Sequence, residues 1–394
     1  MKKPLVIVQA WLLDRRPSGA RNRLLGLLAG LRETGADLPR IECWVTDRNP
    51  PDPELLRLCR ELPQASVRPV PIPPRPTAQR VAAERRHLRR LLSQAGAELL
   101  DLASLPLPPL DIPCVLTLHD LRDRGSFARS WRRLFLSKAL RDAGRRALLV
   151  LTPSPHIARE CADLPCFAET PLRVVPCPVP PPFAKTSPPA APGESYLCHL
   201  GRPEARKNLP FLLEAFAEAR RREPGLPPLL LCGPEDPGWR RLRRLAENLG
   251  LGNHLRLRLD PKDLELPRLL GSAWALALPS LYEGFGLPAL EAASLGVPVL
   301  AMRGSPPSWI AGPGALALPP SVEDWTDGLL DLWRDPDLRH ELGRRAREAS
   351  ARFHPRACAT AWLHAWKEAL GEASSLPPAA DWNPAFPKPK SRRA

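Results

Sequence analysis

Residues 274–292 read WALALPSLYEGFGLPALEA, and this stretch decides the fold. From Trp274 to Leu278 it is a continuous apolar run of strand length, the pattern of a strand buried on both faces in a parallel sheet. Gly284 and Gly286 then permit a tight turn in which the main chain can approach a ligand closely. Pro288 suits the first turn of a helix, where its missing N–H costs nothing. That helix is expected to run to about Gly296, with a following strand at Val299–Ala301. Strand, loop, helix and strand make one βαβ unit, whose loop lies at the carboxyl end where such sheets take ligands.

Glu283 and Glu291 stand on either side of the turn. On the expected helix Leu287, Leu290, Glu291, Ser294 and Leu295 share one face by three-and-four spacing. A carboxylate turned inward costs on the order of several kcal/mol without partners, and a ribose diol would provide two hydroxyl donors to it. A rotated helix would instead leave Glu291 in solvent, and Glu283 alone reads as a loop-surface acid. At this spacing and around these glycines, the pair reads as holding a polar, phosphate-bearing ligand at a helix N-terminus.

Working outward, the N-terminal half alternates short apolar runs with helical stretches. Strands are expected at Leu5–Val8, Ile41–Val45, Leu99–Leu102, Cys114–Leu118, Leu148–Leu151 and Arg173–Val175. This alternation argues for a parallel, doubly wound sheet. Residues 176–192 (PCPVPPPFAKTSPPAAP) are too proline-dense to continue a helix or a central strand and read as a semi-rigid linker. The alternation then restarts at Tyr196–Leu200, Leu229–Cys232, Leu255–Leu259, Ala275–Leu278 and Val299–Ala301, giving a second Rossmann-like domain. The expected division is 1–182, a linker at 183–195, and 196–354. A last helix at about 355–372 carries an apolar stripe of Trp362, Trp366, Ala369 and Leu370. The proline-rich basic segment 374–394 is expected to be disordered.

A length of 394 residues suits two domains that each bury a core, and 44% hydrophobic with 25% charged residues is the composition of a globular protein. No run approaches the length of a transmembrane helix, and the first residues read as a strand rather than a secretory signal. Nine scattered cysteines without a Cys-x-x-Cys pair support neither a disulfide framework nor a zinc site, so cytoplasmic residence is expected. The net charge of +15 is mostly arginine, and with 52 prolines against 2 methionines and 2 tyrosines it reads as compositional bias rather than a nucleic-acid signal. Charge concentrates in two places. Residues 80–92 form a basic amphipathic helix with Val81, Leu88, Leu91 and Leu92 near one side. Residues 130–146 carry Arg132, Arg133, Lys138, Arg141, Arg145 and Arg146 around Trp131 and Phe135. Both read as solvated outer faces, with contact to an anionic membrane as the other reading.

A second constellation follows the strand Tyr196–Leu200. Gly201 ends that strand, and Arg202, Arg206 and Lys207 crowd one βα loop. That loop belongs to the same sheet edge as the Gly284–Gly286 turn, so its cations can meet the same ligand, Arg as a fork and Lys as a point charge. In the first domain His119 and Asp120 follow a buried strand, and Ser18, Gly19 and Ala20 precede a helix without a dinucleotide-binding glycine fingerprint.

In combination these residues resemble the retaining GT-B glycosyltransferases of glycosyltransferase family 4, over residues 1 to about 370. The resemblance rests on the Glu283–Glu291 element, on Gly201 and Arg202 with Arg206, Lys207 and Asn208, on His119, Asp120 and Leu121, and on Thr152 to Ser154. It implies two Rossmann-like doubly wound parallel-sheet domains facing an interdomain cleft, with the last helix crossing back to the first domain. It implies transfer of a mannose- or glucose-type hexose from a nucleotide diphosphate sugar to a glycan or lipid-linked acceptor, as in cell-surface polysaccharide synthesis. Arg202 and Lys207 would neutralise the diphosphate leaving group. Gly201, Gly284, Phe285, Gly286 and Leu287 would line the donor, with backbone N–H groups from Phe285 to Leu287 on sugar and phosphate. Glu283 would orient the donor sugar, Glu291 would bind ribose, and His119 would contact the sugar near the reacting centre. Gly19 is the candidate for an acceptor or phosphate loop.

No cofactor, metal or nucleic acid is implied, and the location would be cytoplasmic, with contact at the inner face of the cell membrane if the basic helices touch lipid. The chain departs from the pattern at Val175–Val179, at Ser18–Ala20, and at Trp309, which stands where an acid is usual. The alternative is a catalytically silent scaffold binding membrane or nucleic acid through its basic surface; the intact acids and the intact Arg202 and Lys207 count against it.

Overall fold

A computed structural model describes residues 3–13, 18–122, 130–187, 195–372 and 382. The chain divides into two units, Met1–Pro178 with Pro355–Ala394, and Val179–His354.

The first unit is built on seven strands, β1 (Leu5–Gln9), β2 (Arg40–Thr46), β3 (Ala65–Val70), β4 (Leu99–Leu102), β5 (Cys114–Thr117), β6 (Leu149–Thr152) and β7 (Leu172–Val174). Their order is β3-β2-β1-β4-β5-β6-β7, with every pairing parallel. All residues of β1, β4, β5 and β6 are buried, as two-sided burial of a parallel sheet requires. β3 was not expected. It lies at the sheet edge and contains Pro69, which an edge strand tolerates because one side of its backbone needs no ladder partner.

The second unit holds six strands, β8 (Tyr196–Leu200), β9 (Leu229–Gly233), β10 (Leu255–Leu259), β11 (Ala273–Leu278), β12 (Val299–Met302) and β13 (Ala315–Leu318). The order is β10-β9-β8-β11-β12-β13, again parallel throughout. Its core joins Leu197, Leu212, Phe216, Trp274, Trp325 and Leu329, each large side chain worth about 1.5–3 kcal/mol of burial. β13 was also unexpected; it is a four-residue edge strand.

Two expectations need correction, and a third falls almost wholly outside the described residues. The chain passes between units at Pro178–Val179, and residues 181–184 of the expected linker region form a short helix within the second unit. Pro181 and Pro182 fit there because they occupy its first two positions, where no N–H is used. The basic helix at 80–92 is interrupted by a π-helical turn, Glu84–Leu88, and Arg80 is not on its outer face but buried on Glu84. Of the segment 374–394, all but Trp382 lies outside the described residues, and Trp382 itself is buried. The last helix, Pro355–Ala369, belongs to the first unit and packs on the helix Gly19–Glu33, where the missing Cβ of Gly30 leaves room for the Pro355 carbonyl. Among the described residues no helix is long and apolar enough to cross a membrane.

Candidate functional site

In the second unit the winding reverses between β8 and β11, with β9 and β10 on one side and β12 and β13 on the other. The carboxyl ends of β8 and β11 are therefore the topological switch point, where an open α/β sheet leaves a crevice for a ligand. The loop after β8 carries Gly201, Arg202, Arg206 and Lys207; the loop after β11 carries Ser280, Glu283, Gly284, Phe285 and Gly286.

The two loops are joined by charge. Lys207 and Glu283, 5% and 8% exposed, form an ion pair. Arg206 donates to the second carboxylate oxygen of Glu283 at 3.0 Å and to the Tyr282 carbonyl at 3.2 Å, and the Ser280 hydroxyl donates to Glu283 Oε1 at 2.9 Å. The Leu281 N–H donates to the Arg206 carbonyl at 2.8 Å, which sets the loops side by side. Burial pushes the Glu283 carboxyl up, but Lys207 and Arg206 outweigh it and hold the group below the ordinary glutamate range. Arg202 is exposed and has no ion-pair partner among the described residues.

Below the Lys207 loop lies His199, fully buried, with Nδ1 2.8 Å from the Ala277 carbonyl. A carbonyl only accepts, so Nδ1 carries the proton and Nε2 keeps its lone pair. Burial, then Lys207, brings this histidine down to about 4, which keeps it neutral beside the cations. A Cβ on Gly201 would sit 3.2 Å from His199 Nε2 and 3.4 Å from Lys207 Cε, so any side chain there presses on the charged loop.

Gly286 has φ +104°, a backbone conformation that L side chains rarely adopt, and a Cβ there would meet the Pro307 side chain at 2.9 Å. It precedes the helix Leu287–Ser294. The backbone N–H groups of Phe285, Gly286 and Leu287 have no acceptor among the described residues, so three donors are left over at the positive end of that helix. On the same helix Glu291 is 5% exposed, and its carboxylate has no hydrogen-bond partner among the described residues. Burial, with a lesser push from Asp263, raises it to about 8. The inward orientation holds, and the solvated reading of Glu291 does not.

Phe285 packs edge-on against Trp309 (6.2 Å between ring centroids) and Phe353 (5.7 Å), and Arg352 stacks over Trp309 at 4.7 Å. The indole face of Trp309 thus meets a cation where the resemblance has an acid. Trp309 thereby fixes the back of the glycine loop.

In the first unit the switch point falls between β1 and β4. Gly19 is not in a loop but is the first residue of the helix Gly19–Glu33, whose N-cap Ser18 accepts from the Arg21 N–H; residues 14–17 lie outside the described set. His119 follows β5, is half-buried and has no hydrogen-bond partner among the described residues. Burial, and then Arg23, lowers it to about 3, so it is neutral. Asp120 accepts from the Arg122 N–H at 3.3 Å.

Sequence reasoning took Arg206 only as a loop cation for the ligand, not as a partner of Glu283, and assigned no role to Ser280 or His199. Arg206 and Ser280 sit next to assigned residues, at one and three positions from Lys207 and Glu283, and that adjacency was the available signal. Nothing in the sequence marks His199, because its role depends on the neighbouring strand β11. Among the described residues no three His, Cys, Asp or Glu side chains gather as a metal site.

Residues 17–182 match the family model described as Glycosyltransferase Family 4, and residues 183–349 match Glycosyl transferases group 1. A D-inositol 3-phosphate glycosyltransferase of Saccharomonospora viridis is 35% identical over 184 residues, 44% of this chain and 43% of the relative. The O-antigen chain mannosyltransferase B of Escherichia coli is 33% identical over 181 residues, 44% of this chain and 46% of the relative. The chain thus spans less than half the length of the curated relatives it matches. Among solved structures, Anabaena HepE in complex with UDP and glucose has a TM-score of 0.68 at 17% identity, covering 93% of this chain and 99% of that one. At that identity the likeness is one of fold: two parallel-sheet domains of the GT-B type.

Proposed function

The chain belongs to the GT-B glycosyltransferases, a family 4 domain followed by a group 1 domain, and on that premise we propose that it transfers a hexose from a nucleoside diphosphate sugar to a glycan or lipid-linked acceptor, with retention of configuration. The observation that carries the proposal is the cluster at the β8–β11 switch point: a buried Lys207–Glu283–Arg206 group beside three unpaired backbone N–H donors and an unpartnered buried Glu291. The bound UDP and glucose of HepE and the mannosyl transfer in the name of the Escherichia coli relative support the ligand class.

In this reading the diphosphate lies over Gly201, against Arg202, Lys207 and the N–H groups of Phe285 to Leu287. It competes with Glu283 for Lys207. As Lys207 turns to phosphate, a Glu283 oxygen is released to accept from the sugar hydroxyls, so one exchange both stabilises the leaving group and orients the sugar. Arg206 and Ser280 keep Glu283 in place during the exchange. The counter-charge comes from side chains, so turnover survives chelation with EDTA.

The test is a transfer assay with UDP-, GDP- and ADP-hexoses on wild type and Lys207→Ala. We expect turnover with at least one donor, and a variant whose affinity for the nucleoside diphosphate falls about tenfold or more while its affinity for the nucleoside is unchanged. Equal losses for both ligands would exclude a phosphate role for Lys207, and no binding or turnover with any donor would sink the enzyme reading.

Glu291 gives a pH signature. Its carboxyl titrates at about 8, and accepting from a ribose diol requires the ionised form. Binding at neutral pH therefore releases a proton, and affinity rises with pH until Glu291 is already ionised. Between pH 6 and 8 the gain is about 50-fold, nearly tenfold over the first unit and less as pH nears 8. Calorimetry in buffers of different ionisation enthalpy reads the released proton. Glu291→Gln should remove that part of the pH dependence; an unchanged profile contradicts the ribose role.

A further inference from the structure

The sugar-transfer reading leaves one buried group of the second unit unused. His199 lies on β8 with its ring fully buried, and its Nδ1–H donates to the Ala277 carbonyl at 2.8 Å. Its Nε2 is buried as well and has no hydrogen-bond partner among the described residues. A buried polar atom left unpaired costs free energy, and a leucine at this strand position would avoid that cost. Burial, then Lys207, brings the histidine down to about 4, against the opposing pull of the Ala277 carbonyl and Glu283. Near neutral pH Nε2 therefore holds a lone pair and can only accept.

Lys207 is the complementary case. Its ammonium carries three N–H donors. The side chain is buried, and among the described residues the ammonium donates to Glu283 alone. The two groups border one space, the place where a side chain on Gly201 would begin. That point lies 3.2 Å from His199 Nε2, 3.4 Å from Lys207 Cε and 3.7 Å from Lys207 Nζ, its three nearest atoms beyond the adjacent residues. Rotation about the last carbon–carbon bond of the lysine stem moves Nζ while Cε keeps its place. The ammonium can thus change partner without leaving this space.

We propose that His199 is a positioning residue for Lys207: its Nε2 accepts from the ammonium when Lys207 leaves Glu283, and so holds the cation beside Gly201. An acid at position 199 would compete with phosphate for Lys207 as a second anion. An apolar residue there would leave a buried N–H without an acceptor. A neutral imidazole, fixed through Nδ1 by Ala277, does neither, and it steers the ammonium without cancelling its charge. The use of this contact rests on the sugar-transfer reading, with a diphosphate over Gly201; the contact itself belongs to the free protein.

Nitrogen NMR of the full chain, carrying isotope-labelled histidine, reads the contact directly, with the His199 signals assigned by their loss in His199→Gln. In the free wild type Nε2 is expected to resonate as a bare lone-pair nitrogen. It should move upfield in Glu283→Ala, or in the milder Glu283→Gln, where the ammonium has lost its acid. Adding Lys207→Met should return it. UDP, GDP or ADP, whichever binds, should move the wild-type signal the same way, and the parent nucleoside should not. His199→Phe should lower affinity for that diphosphate by about tenfold, the worth of one hydrogen bond to a charged group, and leave the nucleoside unaffected. His199→Gln, whose side-chain oxygen can stand in for Nε2, should recover most of the loss. In a Lys207→Ala background His199→Phe should cost nothing further. An Nε2 signal that ignores the loss of Glu283 overturns the proposal. So do equal losses for diphosphate and nucleoside, or losses that add in the Lys207→Ala background, since both mark a merely structural histidine. If wild type binds no nucleoside diphosphate, the sugar-transfer reading fails, and the free-protein spectra alone decide whether Lys207 reaches His199. Those spectra keep His199 in place, so they decide it even where His199→Phe does not fold.

Discussion

Replacing Glu283 with alanine lowers the stability of the second unit by about 3–5 kcal/mol, and a nucleoside diphosphate restores part of the loss. Glu283 is the common acceptor of Lys207, Arg206 and Ser280, and Lys207 is buried in the same cluster. Arg206 retains Glu204 at 2.7 Å and the Tyr282 carbonyl when Glu283 is gone. Lys207 retains no acid, and a buried ammonium without an anion carries the main cost. A diphosphate over Gly201 would supply the missing charge. The thermal shift produced by a nucleoside diphosphate should therefore be larger in Glu283→Ala than in wild type, although turnover is lost. An equal or smaller shift would mean that Lys207 does not face the phosphate. The same pairing sets an acid limit. Glu283 titrates below its ordinary range, so its contribution is present above the unfolded-state value and is lost as pH falls through the lower folded value. Glu291 has the opposite sign: raised to about 8, it contributes below the ordinary glutamate range and loses that contribution as pH climbs towards 8.

Much of this site was legible in the sequence because its parts are local. The apolar run of β11, the glycines that follow, the proline opening the helix and the spacing of Glu283 and Glu291 fall within 274–292, and each is a short-range signal. What the sequence does not carry is who pairs with whom. Lys207 and Glu283 are 76 residues apart, and only the adjacency of β8 and β11 brings them together. Read separately, Lys207 was expected on a phosphate and Glu283 on a sugar; the structure shows instead that the two pair with each other. Strands β3 and β13 were missed for a related reason. At a sheet edge half the backbone needs no partner, so Pro69 is admissible and the apolar run can be short. The break at Glu84–Leu88 in the basic helix arises where Arg80 is drawn inward to Glu84, while Trp11 donates to the same carboxylate from 73 positions away.

Asp101→Leu should destabilise the first unit by about 3–5 kcal/mol and loosen the helix Pro355–Ala369. The indole N–H groups of Trp362 and Trp366 both donate to Asp101 Oδ2 at 2.7 Å, and their rings lie 4.1 Å apart one helical turn from each other. Asp101 sits in β4, a fully buried strand, so the stripe read as merely apolar ends on a buried carboxylate. Burial pushes that carboxyl up, while Trp366, Arg23 and Trp362 oppose the push. Leucine would leave two indole donors unsatisfied, at about 1–3 kcal/mol each, and remove a carboxyl that interacts favourably with the buried Arg23 guanidinium. Asp101→Asn keeps a carbonyl for the indoles and loses only the charge, so it should fall between wild type and leucine. Since a domain holds about 5–15 kcal/mol in all, the leucine variant should show a lower urea midpoint and a protease-sensitive bond near residue 355. A leucine variant within about 1 kcal/mol of wild type would show that packing of the two tryptophans, rather than their bonds to Asp101, returns the last helix to the first unit.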